Sequence, residues 1–166
     1  AGATVNTVAI NDGTLNLKDG ATVSNVASGG HISAGKDVVI DGLFMSERGS
    51  FDFSTDMTIK NGKYEKDYGE TQEKTFSIEN NKADGFVING GSSFTVTENG
   101  SLSNSVVKGP DDGYGSGGKL ISVDKNTSID NVTIEEGGRF EISTDTTVSN
   151  STNNGQNISI KDHVAD

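Results

Sequence analysis

The chain has three tyrosines, and all of them, Tyr64, Tyr68 and Tyr114, fall in two short segments, 63–74 and 108–118. The same segments carry the acids Glu65, Asp67, Glu70, Asp111 and Asp112. A phenol offers a flat apolar face for stacking on a sugar and a hydroxyl for hydrogen bonding, at low entropic cost. Carboxylates beside it accept bonds from sugar hydroxyls or pair with basic groups on a protein. These eight residues are the candidate binding set. The groups that catalysis would need are dispersed instead. Arg48 and Arg139 are far apart in sequence, as are His31 and His163, so no triad or metal-ligand spacing is legible. Glu135 and Glu136 are adjacent in sequence and read as a solvated corner. Asp111-Asp112-Gly113 lacks the alternate acids and closing glutamate of a calcium loop. The glycine-rich run 113–118 lacks the Lys-Ser/Thr ending of a phosphate loop. No catalytic residue, metal or cofactor is expected.

What positions the two segments is a repeat. Counted from anchors Gly13, Gly30, Gly49, Lys74, Ser92, Lys119, Gly138 and Gln156, offsets 2 and 4 are apolar in every unit, although only 31% of the chain is apolar. They run from Leu15 and Leu17, through Phe51 and Phe53, to Phe140 and Ile142 and finally Ile158 and Ile160. Alternation of this kind marks a short strand with one face inward. Offset 7 is Gly, Asp or Asn in all but the last unit, residues that tolerate a left-handed corner. Offset 10 is apolar except at Asp84, and offset 12 is Asn at Asn25, Asn61, Asn104, Asn131 and Asn150. Asparagine there has an amide for the corner backbone and for a ladder along a stack.

One such unit cannot bury its own apolar side chains; stacked units can. The pattern therefore predicts an all-β parallel β-helix (β-solenoid) over 1–166, a single segment of about eight coils of 17–19 residues with two longer coils. At one strand spacing per coil the rod is about 40 Å long. Both longer coils place their excess just before the next anchor, so the two insertions leave one corner, about 10 Å apart. In the irregular coil a slip of register is expected to return Phe86 to the core and turn Asp84 outward.

Outward positions form polar columns. Offset 9 includes Thr22, Thr58, Ser101, Ser128 and Thr147, and offset 11 includes Ser24, Ser103 and Ser149. A flat, hydroxyl-rich, repetitive face suits pairing with a copy of itself through many hydrogen bonds of about 0.5–1.5 kcal/mol each. A formal charge of −11 argues against nucleic acid and against anionic membranes as partners. Zero cysteines remove disulfides and thiolate metal sites. No signal sequence or run of membrane-spanning length is legible, and both ends fall within a coil, which predicts a segment cut from a longer array.

The run Val8 to Val26, with Thr22-Val23-Ser24-Asn25, and the following Gly29-Gly30-His31-Ile32 resemble the repeats of AIDA-type autotransporter passengers. Those repeats carry Gly-Gly, a strand, a turn, then Thr-Val and the next Gly-Gly. The resemblance covers nearly the whole chain and departs from it in the two insertions, the Asp84 coil and the charge. It implies a right-handed helix, secretion to the bacterial cell surface with tethering at the outer membrane, and a role in self-association (aggregation, biofilm) or attachment to a host-surface protein or glycan. The alternatives are a glycan-active lyase or hydrolase on a β-helix and a purely structural stalk.

Overall fold

A computed structural model describes residues 4–46, 48–65, 74–110, 115–161 and 164–165. Among these residues the chain is all β, without a helix, and stacks as a β-solenoid of about seven turns. Strands β1 (Thr4–Ile10), β3 (Thr22–Ser28), β5 (Val39–Met45), β7 (Thr58–Tyr64), β12 (Ser101–Val107), β14 (Thr127–Ile134) and β16 (Thr146–Asn153) are the long members of one sheet. The same sheet contains β8 (Thr75–Glu79), β9 (Lys82–Asp84), β10 (Val87–Ile88), β17 (Gln156–Lys161) and β18 (Val164–Ala165), twelve strands in all. Facing it is a six-stranded sheet of short strands. These are β2 (Thr14–Leu17), β4 (His31–Ala34), β6 (Ser50–Ser54), β11 (Ser93–Thr95), β13 (Lys119–Ser122) and β15 (Arg139–Ile142).

Each parallel turn thus has two strands, the long one continuing around the offset-12 residue. Asn25, Asn61, Asn104, Asn131 and Asn150 all have φ between 48° and 54°. One left-handed residue inside a strand resets the inward alternation. In β3, Val23, Val26 and Ser28 are buried, a step of three followed by a step of two.

The stack is parallel with two exceptions. β7, β8 and β9 form an antiparallel meander, and so do β16, β17 and β18. The units anchored at Lys74 and Gln156 are therefore not coils; six anchored units and the turn of β1 before the first anchor make about seven turns instead of the expected eight. Their alternating apolar residues do point inward, since Phe76 and Ile78 are buried. They do so from a reversed strand in the long-strand sheet.

The inserted meander changes the cross-section. From β5 to β12 the long-strand sheet crosses four strand spacings, whereas β6 to β13 crosses two. The difference is about 10 Å. Five of the protein's seven phenylalanines, Phe51, Phe53, Phe76, Phe86 and Phe94, are buried there. Phe51 stacks on Phe53 at 4.6 Å, and Phe86 lies 5.8, 5.0 and 4.8 Å from Phe51, Phe76 and Phe94. Large rings fill the space that a narrower turn closes with aliphatic side chains.

The irregular turn follows the expected slip. Ala83 pairs with Leu102 and is buried, Asp84 is exposed opposite Ser103, and Phe86 is fully buried. A second slip is a correction. In the unit anchored at Lys119 the inward residues are Leu120 and Ser122, both 0% exposed, while Val123 is 51% exposed. The frame there starts at Gly118, where a Cβ would overlap the carbonyl of Ile88. A shift of one residue exchanges the two faces of a strand. Phe140 and Ile142 are in register with Leu120 and Ser122 but belong to β15, the last strand of its sheet, so Phe140 is exposed and Ile142 half-buried.

Candidate functional site

The two insertions do leave one corner. β7 ends at Tyr64 and β12 at Val107, equivalent positions at the ends of seven-residue strands. The hairpin strand β8 and the β9–β10 segment lie between them, so the bases are three strand spacings apart, about 14 Å rather than about 10 Å. The first insertion closes with the amide of Tyr64 donating to the carbonyl of Lys74 at 2.9 Å. The second closes with Gly118 donating to Lys108 at 2.9 Å, and the Lys108 ammonium reaches Glu135 at 3.1 Å.

Tyr64 is not a loop residue, which corrects the expectation for it. It is half-buried at the end of β7, with its ring 4.5 Å from that of Phe76 and its hydroxyl accepting the amide of Val87 at 2.9 Å. Burial pushes the phenol above the usual tyrosine range, while the Val87 bond pulls the other way. Its ring and oxygen are occupied inside the molecule, so Tyr64 is a wall of the wide turn. Glu65 follows it and is exposed. Asp67, Tyr68, Glu70, Asp111, Asp112 and Tyr114 lie outside the described residues.

The eight hydroxyl residues separate into two groups. Ser24, Ser103 and Ser149 donate along the stack, to Asn6 at 2.7 Å, Asp84 at 2.8 Å and Asp130 at 2.7 Å. Asn104 and Asn150 join the last two, donating to Asp84 at 2.6 Å and Asp130 at 2.8 Å. Each of these aspartates is held between a serine and an asparagine of the next turn. The two donors keep the exposed Asp130 carboxyl below the usual aspartate range. Thr22, Thr58, Ser101, Ser128 and Thr147 make no such bonds among the described residues. They form two aligned files on the outer face, Thr22–Val39–Thr58 and Ser101–Ser128–Thr147. Glu79 and Lys82, paired across β8 and β9, lie between the files.

One constellation escaped the sequence reading. His31 Nδ1 is 2.8 Å from Ser50 Oγ and its Nε2 is 3.1 Å from Asp52 Oδ2. The signal was the coil period, since His31 and Ser50 both follow an anchor glycine and are paired across β4 and β6. The trio has the groups of a hydrolytic triad, but the two amides nearest the serine are already engaged. The amide of Ser50 donates to Gly30 and that of Phe51 to Ser92. Asp52 also accepts Ser93 at 2.6 Å, so the cluster ties three turns together.

Among the described residues no group of three His, Asp or Glu is placed to hold a metal ion, and no helix is long and apolar enough to cross a membrane. No known family model matches the chain, and no curated protein is significantly similar to it.

Proposed function

We propose that this chain is the rod of a bacterial cell-surface adhesin, an autotransporter-type passenger held at the outer membrane, that pairs with copies of itself and attaches to host-surface protein or glycan. The observation that supports the reading is the pair of in-register hydroxyl files, Thr22–Thr58 and Ser101–Ser128–Thr147, whose hydroxyls have no partner among the described residues. Each hydrogen bond across such a face is weak, so pairing rests on number and on the strict repeat of strand spacing. Catalysis has no part in this reading. Attachment is assigned to Glu65 and to Asp67, Tyr68, Glu70, Asp111, Asp112 and Tyr114, without Tyr64, whose ring and hydroxyl are engaged inside the molecule.

The test is cell clumping by bacteria displaying the chain. Replacing Thr22, Thr58, Ser101, Ser128 and Thr147 together with lysine should abolish clumping and leave the fold intact. Clumping equal to the parent's would remove the hydroxyl files from consideration. Tyr68→Ala with Tyr114→Ala should weaken attachment to a target surface and leave clumping unchanged.

A second reading, a glycan-active enzyme, has one observation in its favour, the Ser50–His31–Asp52 contact. Hydrolysis of an activated ester that Ser50→Ala removes would transfer the assignment to it.

A further inference from the structure

Phe44 stands apart from the other phenylalanines. It is 45% exposed although β5 is flanked by β3 and β7, so no missing neighbour explains its position. Phe140, the other exposed ring, lies in the last strand of its sheet. Leu43 and Met45 on either side of Phe44 point inward and are 1% exposed. The ring therefore projects outward near the end of β5, in register between Ala27 and Lys63.

Beside it the column of left-handed asparagines has a gap. The third turn has Gly42 where the second has Asn25 and the fourth Asn61, with φ at 79°. Without a side chain there, a cavity of about 380 Å³ opens, lined by Asn25, Ala27, Gly42, Phe44, Asn61 and Lys63. The amide of Asn61 donates to Asp41 at 2.7 Å and keeps its carbonyl oxygen as an acceptor. Asn25 is the one asparagine of the column whose side chain makes no hydrogen bond among the described residues. Its neighbour in the next turn is the glycine. The notch thus combines an exposed aromatic face with an unengaged amide and a second amide's free acceptor.

We propose that this notch binds one hexopyranose unit, with the apolar face of the sugar on Phe44 and its hydroxyls bonded to the Asn25 and Asn61 amides. The chemistry matches: a pyranose has one face of C–H groups for an aromatic ring and equatorial hydroxyls that both donate and accept, as amides do. The size matches as well, since the cavity lies at the small end of ligand pockets. A protein partner needs roughly 800 Å² per side, far more than a notch built around one exposed ring offers. The notch contains no residue of the hydroxyl files, borders the first insertion only at Lys63, and holds whether or not rods pair.

The experiment is a titration of the isotope-labelled chain with methyl glycosides of glucose, galactose and mannose, following backbone amide resonances. Saturable shifts should be confined to residues around 25–27, 42–44 and 61–63. Phe44→Ala should weaken binding about tenfold. Gly42→Asn is the sharper variant. Asparagine adopts a left-handed φ at five other places in the column, and a Cβ at Gly42 comes no nearer than 3.4 Å, to Asn25 Oδ1. This substitution should fill the notch and abolish binding while the protein melts no lower than the parent. A parallel arm with polysaccharide-coated beads distinguishes a sugar within a chain from a free one, and retention or shifts in either arm would support the site. The proposal is overturned by silence in both arms, by shifts that survive Gly42→Asn, or by self-association that Phe44→Ala removes. Clumping that continues in the first two cases leaves the rod-pairing reading standing by itself.

Discussion

Asn131 Nδ2 donates to Asn104 Oδ1 at 2.8 Å across 27 residues of sequence and one turn of the solenoid. Both residues have left-handed backbones, with φ of 53° and 48°. Asn104 in turn donates to Asp84. In β12 and β14 a single residue type therefore both bends the strand and bonds it to its neighbour in the stack. Asn104→Ala should cost about 1–3 kcal/mol, from a strained φ and two lost side-chain bonds. Asn104→Gly should recover the backbone part alone. Chemical denaturation should rank parent above Asn104→Gly above Asn104→Ala; equal stability of the two variants would show that the ladder, not the bend, sets the cost.

Tyr64 gives a prediction opposite to that for a surface loop. Tyr64→Phe keeps the ring on Phe76 but leaves the amide of Val87 without its acceptor, costing about 1–3 kcal/mol at neutral pH. The pH dependence has a definite sign. Because the folded phenol titrates above its unfolded value, its contribution is complete below about 10 and declines as pH rises beyond that. The gap between parent and Tyr64→Phe should narrow in that alkaline range. A gap that stayed constant would mean that Tyr64 is solvated.

The register of β13 is open to a paired test. Leu120→Asp buries an unpaired carboxylate and should cost several kcal/mol or prevent folding. Val123→Asp, only three residues on, should change the melting temperature little. The reverse result would restore the frame that begins at Lys119.

Asp130 reports on the serine–asparagine clasp. Its carboxyl titrates below the usual aspartate range because Ser149 and Asn150 donate to it. The stability this provides is complete above the unfolded value and is lost as pH falls through the folded one. Carbon-detected titration of the parent should give a depressed midpoint for Asp130, moving up toward the ordinary aspartate value in Ser149→Ala and further in the double variant with Asn150→Ala. An unchanged midpoint would mean that the clasp is open in solution.

The repeat alone determined the solenoid, because a strand with one buried face imposes period-2 alternation and a tight corner imposes residues that accept positive φ. Asp37, Asn99 and Asn126 have that φ, as does Gly20. The outward turn of Asp84 and the burial of Phe86 were legible for the same reason. Direction was not. Phe76 and Ile78 alternate as Phe51 and Phe53 do, yet they run antiparallel in the opposite sheet, since alternation records which face is buried and nothing about the neighbouring strand's direction. Only the assembled stack decided that Tyr64 is a wall and not a loop, that three of the eight hydroxyls are used internally, and that a missing asparagine side chain at Gly42 lies beside an exposed ring. Each depends on what occupies a neighbouring strand, close in space and a dozen or more residues away in the chain.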